Sequence, residues 1–328
     1  MRAIAFEQYG EPRDVLTIAE RTVAEPGPGE VQVALILSPI HHHDLEIVRG
    51  LYGYKPALPA VPGTEALVRI TAVGPGVTHL SVGQRGALNR DQHVWAERFV
   101  CPAWRVVAVP DSVPDETAAQ VLLMPWSARA LVDHLDLRAG DWLMINAANG
   151  AVGKLVNLFA RRRGLHVLNL VRRPAAVAAM HELGYDPALD TENPDWMDQV
   201  EAATSGALIT RAIDQLGGRA ADEELALLAP GGRITSFGQL TGEPMSINSG
   251  TLIFKNAVVD GFWVNKSNAK LGRTRIIQMA EELIELAARG GLRSDFEAVY
   301  PLEDVAEAVV AAEASGRNAK IALCAQPS

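Results

Sequence analysis

The sequence predicts an α/β protein of two domains, one β-rich and one built on a doubly wound parallel sheet, and three observations carry that prediction. A length of 328 residues exceeds what one hydrophobic core ordinarily serves. The first third is rich in short β-branched runs separated by Gly/Pro turns. From about Ala118 the pattern turns helical and then alternates strand with helix, which requires crossover connections and a parallel sheet with helices on both faces.

In chain order, the opening Met1-Arg2-Ala3-Ile4 reads as a strand rather than a signal peptide. Glu25-Pro26-Gly27-Pro28-Gly29-Glu30 is a turn, and Val31 to Leu35 alternates as a half-buried strand. Leu67 to Val73 is a strand closed by Gly74-Pro75-Gly76, and Val106 to Val109 is another before Pro110. Strands at 142–146, 166–171, 208–213 and 232–237 then alternate with helices at 152–163, 174–183 and 220–229, and a strand from Ala257 to Val264 completes the sheet. Arg275 to Arg289 carries apolar residues at helical spacing and is stopped by Gly290-Gly291. Val299 to Leu323 reads as strand, helix, strand. This tail is expected to fold back on the amino-terminal domain, because the parallel sheet is complete without it. The expected domains are residues 1–119 with 265–328, and residues 120–264.

Composition narrows the classes. Hydrophobic residues at 48% with charged residues at 21% suit a compact globule and exclude a disordered chain. No window approaches the run of about 18 apolar residues that crosses a bilayer, so no membrane partner and a cytoplasmic location are expected. Cys101 and Cys324 are the two cysteines; they fit a reducing compartment and cannot form a four-cysteine zinc lobe. A net charge of -9 and an isoelectric point near 5.4 give no extended field for nucleic acid. A small phosphorylated ligand needs only a local basic pocket.

That pocket is predicted between Leu143 and Val171. An apolar strand runs into the turn Ala147-Ala148-Asn149-Gly150-Ala151-Val152-Gly153, then a helix, then a strand ending in Arg172-Arg173. Gly150 and Gly153 let backbone approach a pyrophosphate, and the helix start aims unpaired amides and a positive dipole end at it. The next strand selects the dinucleotide. An NAD site usually has Asp or Glu about 20 residues past the glycines; here Arg172 and Arg173 can grip an adenosine 2'-phosphate with forked donors, which favours NADPH. A plainer reading makes both arginines solvated charges at a strand end.

Together these segments resemble the medium-chain dehydrogenase/reductase superfamily over essentially the whole chain. Val73-Gly74-Pro75-Gly76-Val77 through Val82-Gly83-Gln84-Arg85 is similar to its loop and strand signature, and Ala147 to Gly153 to its cofactor turn. Within it, the mitochondrial-type 2-enoyl thioester reductases are most similar. Arg49 to Val61 resembles their active-site loop, Asn146-Ala147-Ala148-Asn149 their phosphate turn, and Leu252 to Asn256 with Gly261-Phe262-Trp263 their nicotinamide-side strand. The resemblance implies a GroES-like β-rich catalytic domain, a Rossmann cofactor domain, NADPH as cofactor, a homodimer paired through the strand with Val258-Val259-Asp260, and an enoyl reductase of fatty acid metabolism. Quinone oxidoreductases share the architecture. Where the family has Asn-Pro-x-Asp this chain reads His41-His42-His43-Asp44, so a polar contact to the cofactor falls to His41. The middle turn glycine is Ala151, and the family's Thr-Ala is Ser127-Ala128, which keeps a hydroxyl by the nicotinamide. Trp126 before it is expected to narrow the substrate pocket.

Reduction of an activated double bond needs a hydride at one carbon and a proton at its neighbour. By resemblance Tyr52 donates that proton at the α-carbon or orients the enolate; a phenol titrating near 10 stays protonated at neutral pH. Tyr54, two residues on, is the local competitor, and both tyrosines are open to a packing role. The three histidines invite a metal, but adjacent residues of an extended segment face opposite ways, so only His41 and His43 converge, and a catalytic zinc needs three protein ligands. No metal is expected; His41 or His43 is expected to wall the pocket, and Asp44 to fix the loop through backbone hydrogen bonds. Ser236-Phe237-Gly238-Gln239 follows a strand at its carboxyl end, where its backbone can hold the nicotinamide carboxamide. Phe262 and Trp263 fit either a place beside the nicotinamide ribose or the core or subunit interface. The expected activity is NADPH-dependent, zinc-independent reduction of 2-enoyl thioesters or related α,β-unsaturated carbonyls. Its alternatives are a quinone or general enone reductase and a non-catalytic NADPH-binding scaffold.

Overall fold

A computed structural model describes residues 1–89, 93–269, 271–314, 316–317 and 319–325. Two compact units divide the chain: Met1–Trp126 with Gly272–Ser328, and Ser127–Leu271. An antiparallel ribbon of β1 (Arg2–Ala5) and β2 (Thr17–Glu20) comes first. There follow β3 (Glu30–Pro39), β4 (Glu65–Val73), β5 (Arg85–Asn89), β6 (Arg98–Pro102) and β7 (Val106–Ala108). The second unit holds β8 (Trp142–Ile145), β9 (His166–Val171), β10 (Ala188–Asp190), β11 (Ile209–Asp214), β12 (Arg233–Ser236) and β13 (Val258–Gly261). β14 (Phe296–Pro301) and β15 (Lys320–Cys324) return to the first unit.

In the first unit the sheet order is β14-β15-β3-β4-β5-β7, with β6 also on β3. β3 is the hub because its ten residues are long enough to pair β4 along its length, β6 at its start and β15 at its end, where Ala322 faces Pro39 and Leu323 faces Ser38. Its alternation sends Val31, Val33 and Leu35 into the core, with Phe6, Ile70, Leu88 and Trp95. The carboxyl-terminal strands β14 and β15 thus join the sheet built on β3. Gly63 precedes β4 at φ +91°, and a Cβ there would lie 2.2 Å from Trp95 Cδ1, so only glycine fits against that indole.

The second unit has one six-stranded sheet in the order β10-β9-β8-β11-β12-β13, every pair parallel. The order runs outward from β8 in one direction and then reverses at β11, so the carboxyl ends of β8 and β11 form the switch point where such sheets bind ligands. The last strand is shorter than the expected 257–264: Phe262 N–H makes a final bond to Ser236 C=O, and Trp263 then caps a short helix, Val264–Asn268. Among the described residues no helix is long and apolar enough to cross a membrane.

Candidate active site

Where β8 ends, the chain turns through Asn146–Gly150 into the helix Ala151–Arg162. Asn146 is buried and ties the switch point together. Its amide donates to Asp214 Oδ1 at 2.7 Å, its Oδ1 accepts the Gln215 N–H at 2.7 Å, and its C=O accepts Gln215 Nε2 at 2.7 Å. Ala147, at φ 46°, bends the turn, and Gly150 caps the helix. A Cβ on Gly153 would meet the Ala148 carbonyl oxygen at 2.3 Å, so this glycine lets the helix seat against the turn. The amides of Ala151, Val152 and Gly153 belong to the helix's open first turn, an anion site in the making.

Beside this junction lies a pocket of about 270 Å³, lined by Asn149, Val171, Arg172, Arg173, Thr191 and Leu240 among others. Arg172 and Arg173 are exposed, and Arg173 leads the helix Pro174–Glu182. The predicted turn and both predicted arginines therefore share one concavity. Thr191 and Leu240 were not foreseen: Thr191 follows a strand of three residues, too short for a periodicity, and Leu240 lies in the loop after β12.

Elsewhere in this unit, the Phe237 N–H is committed to the Asp214 C=O at 2.8 Å, and Gly238 packs so closely on Gln215 that a Cβ would lie 2.9 Å from its carbonyl oxygen. A ligand at this loop would be met by carbonyls rather than by the Phe237 amide. Gln239 is exposed and donates to the Gly242 C=O. Phe262 is buried against His134, with ring centroids 5.2 Å apart, and near Phe237 at 6.2 Å; Trp263 is half-buried. Ser127 is buried in the helix Leu123–His134.

The first unit contributes a buried polar cluster. The histidine run is not extended: His42 opens the helix His42–Arg49, because the Asp44 carboxylate accepts the His41 N–H at 3.0 Å and caps it. His41 and His43 do converge, with stacked rings 5.1 Å apart. His41 Nε2 lies 2.8 Å from Glu65 Oε2, and Glu65 Oε1 accepts the N–H groups of Leu122 and Leu123 at 2.9 and 2.7 Å. His43 Nε2 lies 2.8 Å from Thr64 Oγ1, which donates to Asp44 Oδ1 at 2.8 Å. Asp44 thus holds the segment through one backbone bond and one bond from the Thr64 hydroxyl, where backbone bonds alone were expected. Burial governs the charges: it raises Glu65 to about 7 and Asp44 above its usual range, and holds His41 well below 6.5. Desolvation also lowers Lys320, at the start of β15, to about 8. Glu65 and Lys320 were missed as cluster members, since single charges at strand starts carry no signal.

Tyr52 follows this helix. Gly50 turns at φ 72°, and the Tyr52 N–H donates to the Glu46 C=O at 3.2 Å. Its half-buried ring lies 5.6 Å from that of His43, whereas Tyr54 is exposed. Trp126 is buried and lines a separate cavity of about 200 Å³ with Trp104, Arg105 and Ile276.

Sequence comparison extends the geometry. The zinc-binding dehydrogenase profile matches residues 151–289, and that of the alcohol dehydrogenase GroES-like domain residues 27–111. The donor set does not fit a zinc ion: His41 and His43 are tied to Glu65 and Thr64, and among the described residues no three His, Cys, Asp or Glu side chains are placed so that they could hold a metal ion. The chain is 30% identical over 320 residues to the mitochondrial enoyl-[acyl-carrier-protein] reductase of Xenopus tropicalis, covering 94% of this chain and 91% of that one. A Bacillus thuringiensis protein assigned as an NADPH:quinone reductase has a TM-score of 0.90 at 27% identity, covering 99% of this chain and 98% of that one. The quinone oxidoreductase of Pseudomonas syringae gives 0.86 at 28%, covering 98% and 99%. The chain therefore belongs to the medium-chain dehydrogenase/reductase superfamily, among its enoyl reductase and quinone oxidoreductase-like members, and is an oxidoreductase.

Proposed function

We propose that the protein reduces the C=C bond of 2-enoyl thioesters or related α,β-unsaturated carbonyls with NADPH, Tyr52 giving the proton. The observation that carries the cofactor is the pocket that gathers Asn149, Arg172 and Arg173 beside an open helix start. A Cβ-intolerant turn, uncapped amides and two guanidiniums fit a phosphorylated dinucleotide, which when bound supplies a hydride. Arg172 and Arg173 hold the 2'-phosphate, and the first turn of Ala151–Arg162 holds the pyrophosphate. Tyr52, anchored to Glu46, delivers its phenolic proton to the α-carbon, and the phenolate is reprotonated from water. The enoyl reductase relatives support the thioester as substrate.

The solved relatives named quinone oxidoreductases favour a second reading, a broad quinone or enone reductase in which Tyr52 is dispensable. One experiment separates them: NADPH oxidation with crotonyl-CoA, a simple enone and a quinone, repeated in Tyr52→Phe. Thioester turnover that collapses in the variant supports the proposal, quinone turnover indifferent to it supports the second reading, and cofactor binding without turnover defeats both. A homodimer paired along β13 belongs to the same proposal: β13 ends the sheet order, and Val258 is 43% exposed there. Sedimentation at monomer mass would exclude it.

A further inference from the structure

Building on the reading of Tyr52 as proton donor, we infer that His43 is the positioning residue for that tyrosine, locked in one tautomer and one orientation by Thr64 and Asp44. The lock follows from counting protons. Asp44 is fully buried and accepts twice, from the His41 N–H at Oδ2 and from the Thr64 hydroxyl at Oδ1. A hydroxyl has one proton to give. With that proton directed at the carboxylate, Thr64 Oγ1 meets His43 Nε2 as an acceptor, so Nε2 carries the ring's hydrogen and Nδ1 its lone pair.

The ring is neutral through the working range. Burial pushes His43 down to about 4, with Lys320 from β15 and His42 acting in the same sense and Glu65 from β4 opposing. Asp44 also stands 3.6 Å from Nε2. His41 stacks on His43 at 5.1 Å with 15° between the planes, and the Tyr52 ring lies at 5.6 Å and 36°. His43 sits in the first turn of His42–Arg49, and Tyr52 is bonded to the Glu46 carbonyl of that same helix. One short helix therefore carries the imidazole and anchors the backbone of the phenol whose swing that imidazole limits. During the transfer the Tyr52 O–H bond breaks as the α-carbon C–H bond forms; His43 gains and loses nothing. Its work is geometric, and a proton donor misplaced by an ångström can lose about 100-fold.

The test is a double-mutant cycle on the full chain with NADPH and crotonyl-CoA. His43→Phe, which keeps a ring but loses the Thr64 link, is expected to lower kcat about 10–100-fold with the KM for NADPH changed less than about twofold. In the Tyr52→Phe background the same substitution is expected to change kcat by less than about twofold, because the residue acts only through the phenol. Thr64→Val reproduces the loss, and His43→Gln, whose amide hydrogen can still reach Thr64, recovers part of it. Equal losses in both tyrosine backgrounds overturn the inference. A second readout is independent of turnover: in protein labelled at tyrosine Cζ, the carbon resonance that vanishes in Tyr52→Phe must shift in His43→Phe and in Thr64→Val. An unmoved resonance overturns the inference. Shifted resonances in both variants, with a wild-type protein that leaves crotonyl-CoA untouched, defeat the functional reading alone.

Discussion

The pocket of the second unit, beside the start of the helix Ala151–Arg162, and the histidine cluster of the first are built in opposite ways. The pocket is made of backbone and exposed charge: a turn, a helix start and the two guanidiniums that follow β9. Its charges stay in water until a ligand arrives. The cluster is made of side chains that are already desolvated and bonded to one another, so burial in the fold sets where they titrate. On the proposed reading, the site that binds and releases a cofactor rests on exposed charge, and the one that holds a side chain still rests on buried bonds.

The contrast can be broken hardest at Gly63. Gly63→Ala forces a Cβ onto Trp95 at a positive φ, and a loss of about 3 kcal/mol or more is expected, read as a fall in thermal midpoint. Next is Glu65→Ala, which strands the Leu122 and Leu123 amides and the His41 ring. A cost of about 3 kcal/mol follows from leaving such groups unsatisfied, and Glu65→Gln should lose less; denaturant titration compares the two. Arg172→Ala, by contrast, should leave stability within about 0.5 kcal/mol. It should weaken NADPH about tenfold or more while leaving NADH unchanged, measured by calorimetry; equal loss for both nucleotides would remove the arginine from the 2'-phosphate.

The contrast also has a pH signature. Unfolded His43 takes a proton below about 6.5, but the folded one does not until about 4, so acidification through that window favours unfolding. Glu65, raised from 4.5 to about 7, works the other way, its contribution growing as pH falls from 7. His43→Phe removes only the first slope. The stability gap between wild type and variant should therefore shrink between pH 7 and pH 4.5, and a gap that widens would contradict the assignment.

The contrast also explains what could be read in advance. The turn, its helix and Arg172-Arg173 lie within one strand-helix-strand stretch, and local periodicity placed them together. The cluster is assembled from residues 41–44, 64–65 and 320, which meet only because β4 and β15 both pair β3. Nothing in residues 41–44 taken alone says that His41 faces Glu65, and the Asp44 cap that turns an apparent strand into a helix was legible only as a carboxylate three residues on. The shortened β13 has the same origin, since its end is set by the partner carbonyl of Ser236.

One feature of the chain order bears on synthesis. The second unit is a single uninterrupted stretch, whereas the sheet around β3 waits for β14 and β15. On a ribosome the inner stretch can reach its final form while the outer one still lacks two strands, so the earlier-made half of the protein is the later to be finished.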